Sequence, residues 1–311
     1  MIKTEWRQFR ALNTDIILLA EIDDSQAELF DLAITQINSF EKNFSRFVGN
    51  SELTLFNKQA DGKLAVSRQM ADLIKISQHY FKITGGIFDP TIIGELEAVG
   101  YNDTFEKISG SDDIHLVDQG KGIMARPNIL SDVKVCGGDA EKYNGIRLDF
   151  GGIGKGYIVD YLAGNVFAPL KSYWLSAGGD LFLKGTDKDG LGWHVDIEHP
   201  LDVHRDILQI KTYGKSMGVA TSGINRRYGT GKAGTWHHII DPRTGLPVQN
   251  EIIAVTAIAK NAKDADVFAK TVLILGVKLG LEFIERQDGC AVIIFTKQVE
   301  PIFSNLAQKY L

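Results

Sequence analysis

Two stretches of the 311-residue chain carry residue types suited to work on a phosphoanhydride and read as walls of one phosphate-handling pocket. The first is Asp149-Phe-Gly-Gly-Ile-Gly-Lys-Gly-Tyr157, a glycine run with Lys155 at the start of an expected helix. Unobstructed backbone N–H groups and the positive end of a helix dipole both favour an anion there. The second is Ala220-Thr-Ser-Gly223 followed by His237-His238-Ile-Ile-Asp241-Pro-Arg-Thr-Gly245, where an imidazole can accept a proton near neutral pH. On a strand the two histidines would face opposite sides, so at most one enters the pocket, with His238 the candidate base. Asp264 and Asp266 precede an apolar helix, where such acids either cap the helix or offer oxygens to a hard cation such as Mg2+.

The glycine run matches neither standard nucleotide fingerprint. A P-loop needs a glycine six residues before the lysine and a Ser or Thr after it, and Asp149 and Gly156 stand there. The spacing Gly152-x-Gly154-x-Gly156 also fails GxGxxG, which leaves a tight strand-to-helix turn as the plain alternative. Asp241 to Gly245, taken alone, is a good turn.

The elements that must position these residues follow from periodicity. A strand is expected around Thr14–Ala20, then a helix capped by Asp24 or Ser25 with Leu29, Ala33, Ile34, Ile37 and Phe40 at helical spacing. A loop carries Phe44–Phe47 and Ser51–Leu53, and a second helix runs from the Ser67 cap to Gly85-Gly86. Asp89-Pro90 must leave helical geometry. Short β-like pieces fill 111–150, ending with Asp149-Phe150 as a strand end, and Gly154–Leu170 reads as a helix. Tyr173–Leu183 reads as a strand pair bent at Gly178-Gly179-Asp180, and Trp193–Ile197 and Glu251–Ala259 as further strands. Helices from Asp264 to Gly276 and from Lys278 to Arg286 precede the strand Ala291–Phe295. Hairpin-like spacings make the expected sheets mainly antiparallel, hence an α+β fold, with 1–311 as a single domain of two joined lobes.

Composition narrows the class. With 44% hydrophobic and 23% charged residues the chain is an ordinary globular protein, and a net charge of -5 argues against a nucleic-acid surface. Cys136 and Cys290 have no CxxC spacing, so neither a disulfide framework nor a zinc site is expected. The start, Met1-Ile-Lys-Thr-Glu-Trp-Arg, lacks the apolar run of a signal peptide and no lipidation cysteine follows, so a cytoplasmic location is expected.

Together these segments resemble the ApbE-like family, the FAD:protein FMN transferases. The resemblance is carried by Leu12-Asn-Thr14, Phe44-Ser-Arg-Phe47 with Ser51-Glu-Leu53, Gly86-Ile-Phe-Asp-Pro-Thr91, Asp149 to Tyr157, Gly178-Gly-Asp180, Ala220 to Gly223, His238 to Gly245 and Ala265-Asp266. It implies a duplicated T-fold-like α+β architecture and transfer of FMN from FAD to a Thr or Ser hydroxyl of a partner flavoprotein, with release of AMP. By position it implies that Leu12, Phe47, Ile87, Phe88, Asp89, Asp149, Lys155 and Ile240 contact FAD. It also implies that the Gly152 carbonyl and the Asp266 carboxylate hold Mg2+ at the pyrophosphate, and that His238 is the base. The acceptor would carry a Ser/Thr-Gly-Ala-Ser/Thr site.

This chain departs from the family pattern where a Thr metal ligand is expected four residues after the Asp, because Lys270 stands there and Thr271 lies about 100° around the helix. A lysine ammonium in that place could stand in for the cation. Leu12 and Phe47 replace the more common Met and Tyr. An FAD pyrophosphatase and a non-catalytic FAD-binding protein are the competing expectations.

Overall fold

In the computed structural model, which describes residues 2–101, 103, 126–224, 228–231 and 234–311, strand β1 (Lys3–Ala11) pairs with β2 (Thr14–Ile22) as a two-residue hairpin. The sequence reading anticipates β2 but not β1, whose outer residues alternate at the edge of a sheet without a continuous apolar signal. Asp23, rather than Asp24 or Ser25, caps a short 3-10 turn at Asp24–Gln26, and α1 (Glu28–Phe44) follows. Its buried positions Phe30, Ala33, Ile37, Phe40 and Phe44 make one helical stripe.

The expected loop after Phe47 contains a short helix, α2 (Glu52–Lys58), because Ser51 accepts the Thr54 N–H as an N-cap. After β3 (Gly62–Ala65) comes α3 (Arg68–Ile83), capped by Ser67 and followed by Gly85 and Gly86 at φ of 63° and 83°. Another short helix, α4 (Ile93–Ala98), follows the Asp-Pro turn. The β-like expectation over 111–125 lies outside the described residues; beyond it β4 (Val133–Cys136) and β5 (Asp139–Lys142) pair. Asp149-Phe150 is not a strand end: the Asp149 N–H donates to the Pro90 carbonyl at 2.8 Å instead of to a ladder partner.

Next come α5 (Gly154–Asn165), shorter than expected, and the hairpin β6 (Tyr173–Ala177) and β7 (Asp180–Lys184). Strands β8 (His194–His199), β9 (Asp202–Lys211) and β10 (Met217–Gly223) follow, then the pairs β11 (Tyr228–Gly231) with β12 (Gly234–His237) and β13 (Ile240–Asp241) with β14 (Leu246–Pro247). The chain closes with β15 (Ile252–Ala259), α6 (Ala262–Leu275), α7 (Val277–Ile284), β16 (Ala291–Thr296) and β17 (Pro301–Phe303). Asn261, not Asp264, is the N-cap of α6.

The described chain forms two compact units. One contains Met1–Glu41, Ile153–Asn225 and Glu251–Leu311 and is built on an eight-stranded sheet in the order β1-β2-β6-β7-β10-β15-β16-β17. Every residue of β15 and β16 is buried, as expected of central strands covered on both faces. Alternate residues such as Leu181, Leu183, Met217, Val219, Ile293 and Phe295 pack on Trp193, Val195 and Ile210, while α5 and α6 pack against the sheet. The other unit, Lys42–Gly152 with Arg226–Asn250, holds the three-stranded sheet β3-β5-β4 and the two small hairpins. Every strand pair among the described residues is antiparallel, in keeping with the α+β expectation.

Candidate functional site

In the eight-stranded unit the motif residues gather where α5 begins. Gly178 and Gly179 turn β6 into β7 at φ of 63° and 92°. A methyl on Gly178 would stand 2.2 Å from Thr14 Oγ1, so only glycine lets this turn lie on the β1–β2 hairpin. At that hairpin's tip Leu12 and Asn13 both adopt left-handed φ, 53° and 57°, as a two-residue primed turn requires. Leu12 is a bulky residue in that conformation, which costs about 1–2 kcal/mol. Asp180 leaves the turn buried and pairs with the Lys155 ammonium from the first turn of α5.

The next residue, Gly156, donates its backbone N–H to Asp266 Oδ2 at 3.4 Å, so this amide of the glycine run is directed at a carboxylate of the protein. The other oxygen of Asp266 meets the Lys270 ammonium one turn along α6. Asp264 serves the cap, its carboxylate accepting from Asn261 Nδ2 at 2.7 Å. Asp160 on α5 accepts the N–H groups of Ala262 and Lys263 at 2.8 and 3.0 Å and pairs with Lys263 Nζ at 3.1 Å. Burial pushes the Asp160 carboxyl above the usual carboxylate range, and Lys263 with those two amides opposes the rise. The Thr221 hydroxyl of the Ala220–Gly223 segment lies 2.9 Å from that of Thr256 across the sheet.

In the other unit Arg46 is the hub. Its Nε lies 2.7 Å from Asp149 Oδ2, another N–H reaches the Tyr101 carbonyl, and the guanidinium lies over the rings of Phe47 and Tyr101 at 4.3 and 5.0 Å. Tyr101 meets Phe47 edge-on at 5.9 Å and stands 6.3 Å from the His238 ring. Phe47, Asp149 and His238 are thus brought around one guanidinium and one phenol ring. Asp149 Oδ1 also accepts the Gly151 N–H at 2.6 Å, which shapes the entry to the glycine run.

Asp89 Oδ1 accepts from the N–H and the hydroxyl of Thr91 at 2.9 and 2.7 Å, and its Oδ2 lies 3.9 Å from Arg126. Arg126 also reaches Glu95 at 3.3 Å and the Pro242 carbonyl, tying the 89–95 segment to the Asp-Pro turn. Ile87, Phe88 and Ile240 are buried, with Phe88 against Gly152 and Tyr80 and Ile240 beside Leu96 and Val99.

His237 and His238 separate sharply. His237 ends β12, is buried, and has Nε2 2.9 Å from the Val248 carbonyl while Nδ1 accepts the Ile239 N–H at 3.3 Å. That pattern suits the neutral Nε2–H ring, and burial holds its pKa below the ordinary histidine value. His238 lies just past the strand, half-buried. Alternation along a strand therefore does not separate them; the end of β12 does.

Residues that spacing did not single out are Tyr101, Arg126 and Asp160, which have no local pattern. Arg46 and Asp180 lay inside the Phe44–Phe47 and Gly178–Asp180 segments but had no role there.

A family model for the ApbE family matches residues 12–294. This chain belongs to the ApbE family. Relatives of this ApbE-family chain include the FAD:protein FMN transferase of Escherichia coli strain K12, 28% identical over 279 residues, covering 88% of this chain and 78% of the relative. The FAD:protein FMN transferase of Klebsiella pneumoniae strain 342 is 26% identical over 287 residues, covering 90% of this chain and 80% of the relative. Among solved structures, the flavin transferase ApbE from Vibrio cholerae matches at a TM-score of 0.78 and 21% identity, covering 100% of both chains. The ApbE protein from Thermotoga maritima matches at a TM-score of 0.82 and 21% identity over 99% of each. Both carry the same α+β fold.

The donor set at Asp266 does not suit a divalent cation. Its two oxygens already face an ammonium and an amide, and among the described residues no group of three or more His, Cys, Asp or Glu side chains could hold a metal. Mg2+ asks for a near-octahedral shell of oxygens.

Proposed function

We propose that this chain is an FAD:protein FMN transferase, moving FMN from FAD to a Thr or Ser hydroxyl of a partner flavoprotein and releasing AMP. The observation that carries the reading is membership of the ApbE family over 12–294, together with relatives that bear this name along most of their length. Leu12, Phe47, Ile87, Phe88, Asp89, Asp149, Lys155 and Ile240 are the proposed FAD contacts. Phe47, in contact with Arg46 and Tyr101, is suited to stack on an aromatic ring of the ligand.

His238 is the proposed base. Its neighbour His237 is buried and bonded to Val248 and Ile239, whereas His238 is half-buried beside the Tyr101 ring, in the unit that also holds Phe47 and Asp149. As the acceptor oxygen attacks the FMN phosphorus, His238 takes the hydroxyl proton, the new P–O bond forms, and the anhydride P–O bond breaks to release AMP. The chain's cations, Lys155 among them, must offset the charge that builds on the leaving phosphate. We assign the acceptor to the class carrying Ser/Thr-Gly-Ala-Ser/Thr.

The test is mass spectrometry of such an acceptor domain after incubation with FAD and the protein, with AMP followed by chromatography. An FMN-sized adduct with matching AMP is expected, and His238→Ala should abolish both while FAD still binds. AMP without adduct would make the protein an FAD pyrophosphatase, and intact FAD a binding protein.

A further inference from the structure

We infer that the Lys270 ammonium occupies the place at Asp266 that the family resemblance gives to a divalent cation, so that this chain binds FAD and transfers its FMN without a divalent metal. The inference rests on the reading of the chain as an FMN transferase and adds to it the group that takes the metal's place.

Four observations carry it. Asp266 is only 1% exposed, so its carboxylate must be neutralised by the protein or by an ion. Lys270 stands at i+4, on the same face of α6, and its ammonium meets Oδ1 directly while leaning on the Asp266 carbonyl at 3.4 Å. Gly156 takes Oδ2, and its Cα is pressed so close to α6 that the amide cannot withdraw without moving a helix. The remaining acids nearby, Asp160 and Asp264, are spent on the first turn of α6 and on Lys263. A metal would therefore have to expel Lys270 and then find its other ligands elsewhere.

The ammonium can do part of a metal's work. Of its three N–H groups, Asp266 engages two, through Oδ1 and its backbone carbonyl, leaving donor capacity for a phosphate oxygen. Its one charge is balanced by Asp266, where Mg2+ would leave a surplus. What the ammonium offers a phosphate is therefore a charge-assisted N–H donor, and unlike Mg2+ it cannot be removed by a chelator.

The experiment uses the whole chain in EDTA and in Mg2+. FAD affinity is read by flavin fluorescence, transfer by the adduct mass, and metal binding by the Mn2+ electron paramagnetic resonance signal. Wild type should bind FAD and transfer FMN equally in both buffers and leave the Mn2+ signal that of the free ion. Lys270→Thr, which restores the family's Asp and Thr spacing, should lose roughly tenfold in FAD affinity in EDTA and regain it with Mg2+. Lys270→Arg, which keeps the cation, should stay independent of metal and guards against a folding defect in Lys270→Thr. Wild-type transfer that requires Mg2+, or Mn2+ bound by wild type and lost in Asp266→Asn, would overturn the inference. Failure of wild type to bind FAD in either buffer would sink the transferase reading; the Mn2+ arm would still decide whether Lys270 excludes metal from Asp266.

Discussion

Gly156 donates its backbone N–H to Asp266 at 3.4 Å, and a methyl on its Cα would stand 2.7 Å from the Lys263 Cα and 2.9 Å from the Ala262 carbonyl. One residue thus sets both the spacing of α5 and α6 and the lie of the buried carboxylate. Gly156→Ala gains about 1 kcal/mol of helix propensity, but the obstacle is backbone rather than a movable side chain, and overpacking costs about 1–3 kcal/mol. Net destabilisation is expected, read as a lower midpoint in urea. A variant as stable as wild type would mean that the helices can part freely.

Arg46 neutralises Asp149 while both are nearly buried. Arg46→Met should cost about 3–5 kcal/mol, because it leaves a carboxylate without its partner. Adding Asp149→Asn should recover part of that loss. A double-mutant cycle by chemical denaturation measures the coupling, and additive losses would show that the pair contributes little.

Asp160 closes the first turn of α6 by accepting from Ala262 and Lys263. Asp160→Asn replaces two acceptor oxygens with one and strands Lys263, so a loss of about 2–3 kcal/mol is expected. Hydrogen exchange should show the loss concentrated at the start of α6. Uniform protection would contradict this account.

Burial lowers the pKa of His237 below its unfolded value near 6.5. Between those two values the unfolded chain binds more protons than the folded one, so stability rises with pH through that window. The contribution of His237 is complete above about pH 6.5 and is lost as pH falls toward its lower folded value. His237→Gln, which can still donate to the Val248 carbonyl, should flatten the fall in stability between about pH 7 and pH 5. An unchanged slope in pH-dependent denaturation would show that His237 is not the group responsible.

Short-range physics was legible in the amino-acid sequence. The stripe of α1, the Ser67 cap of α3, the glycine turn between β6 and β7 and the apolar run of β15 each depend on residues within a turn or two of one another. So did the family-like segments, whose order along the chain survives whatever packing follows. What only the tertiary structure decided were the partners. His237 is committed because Val248, eleven residues away, presents its carbonyl; Asp149 leaves the ladder because Pro90 and Arg46 claim it. Asp264 and Asp266 look alike in sequence, yet one completes a cap and the other is buried against Gly156 and Lys270. Hydrophobic period and capping are local and leave a pattern in the chain. The pairs Arg46–Asp149 and Lys155–Asp180 join groups tens of residues apart, and spacing carries no record of which of those charges will meet.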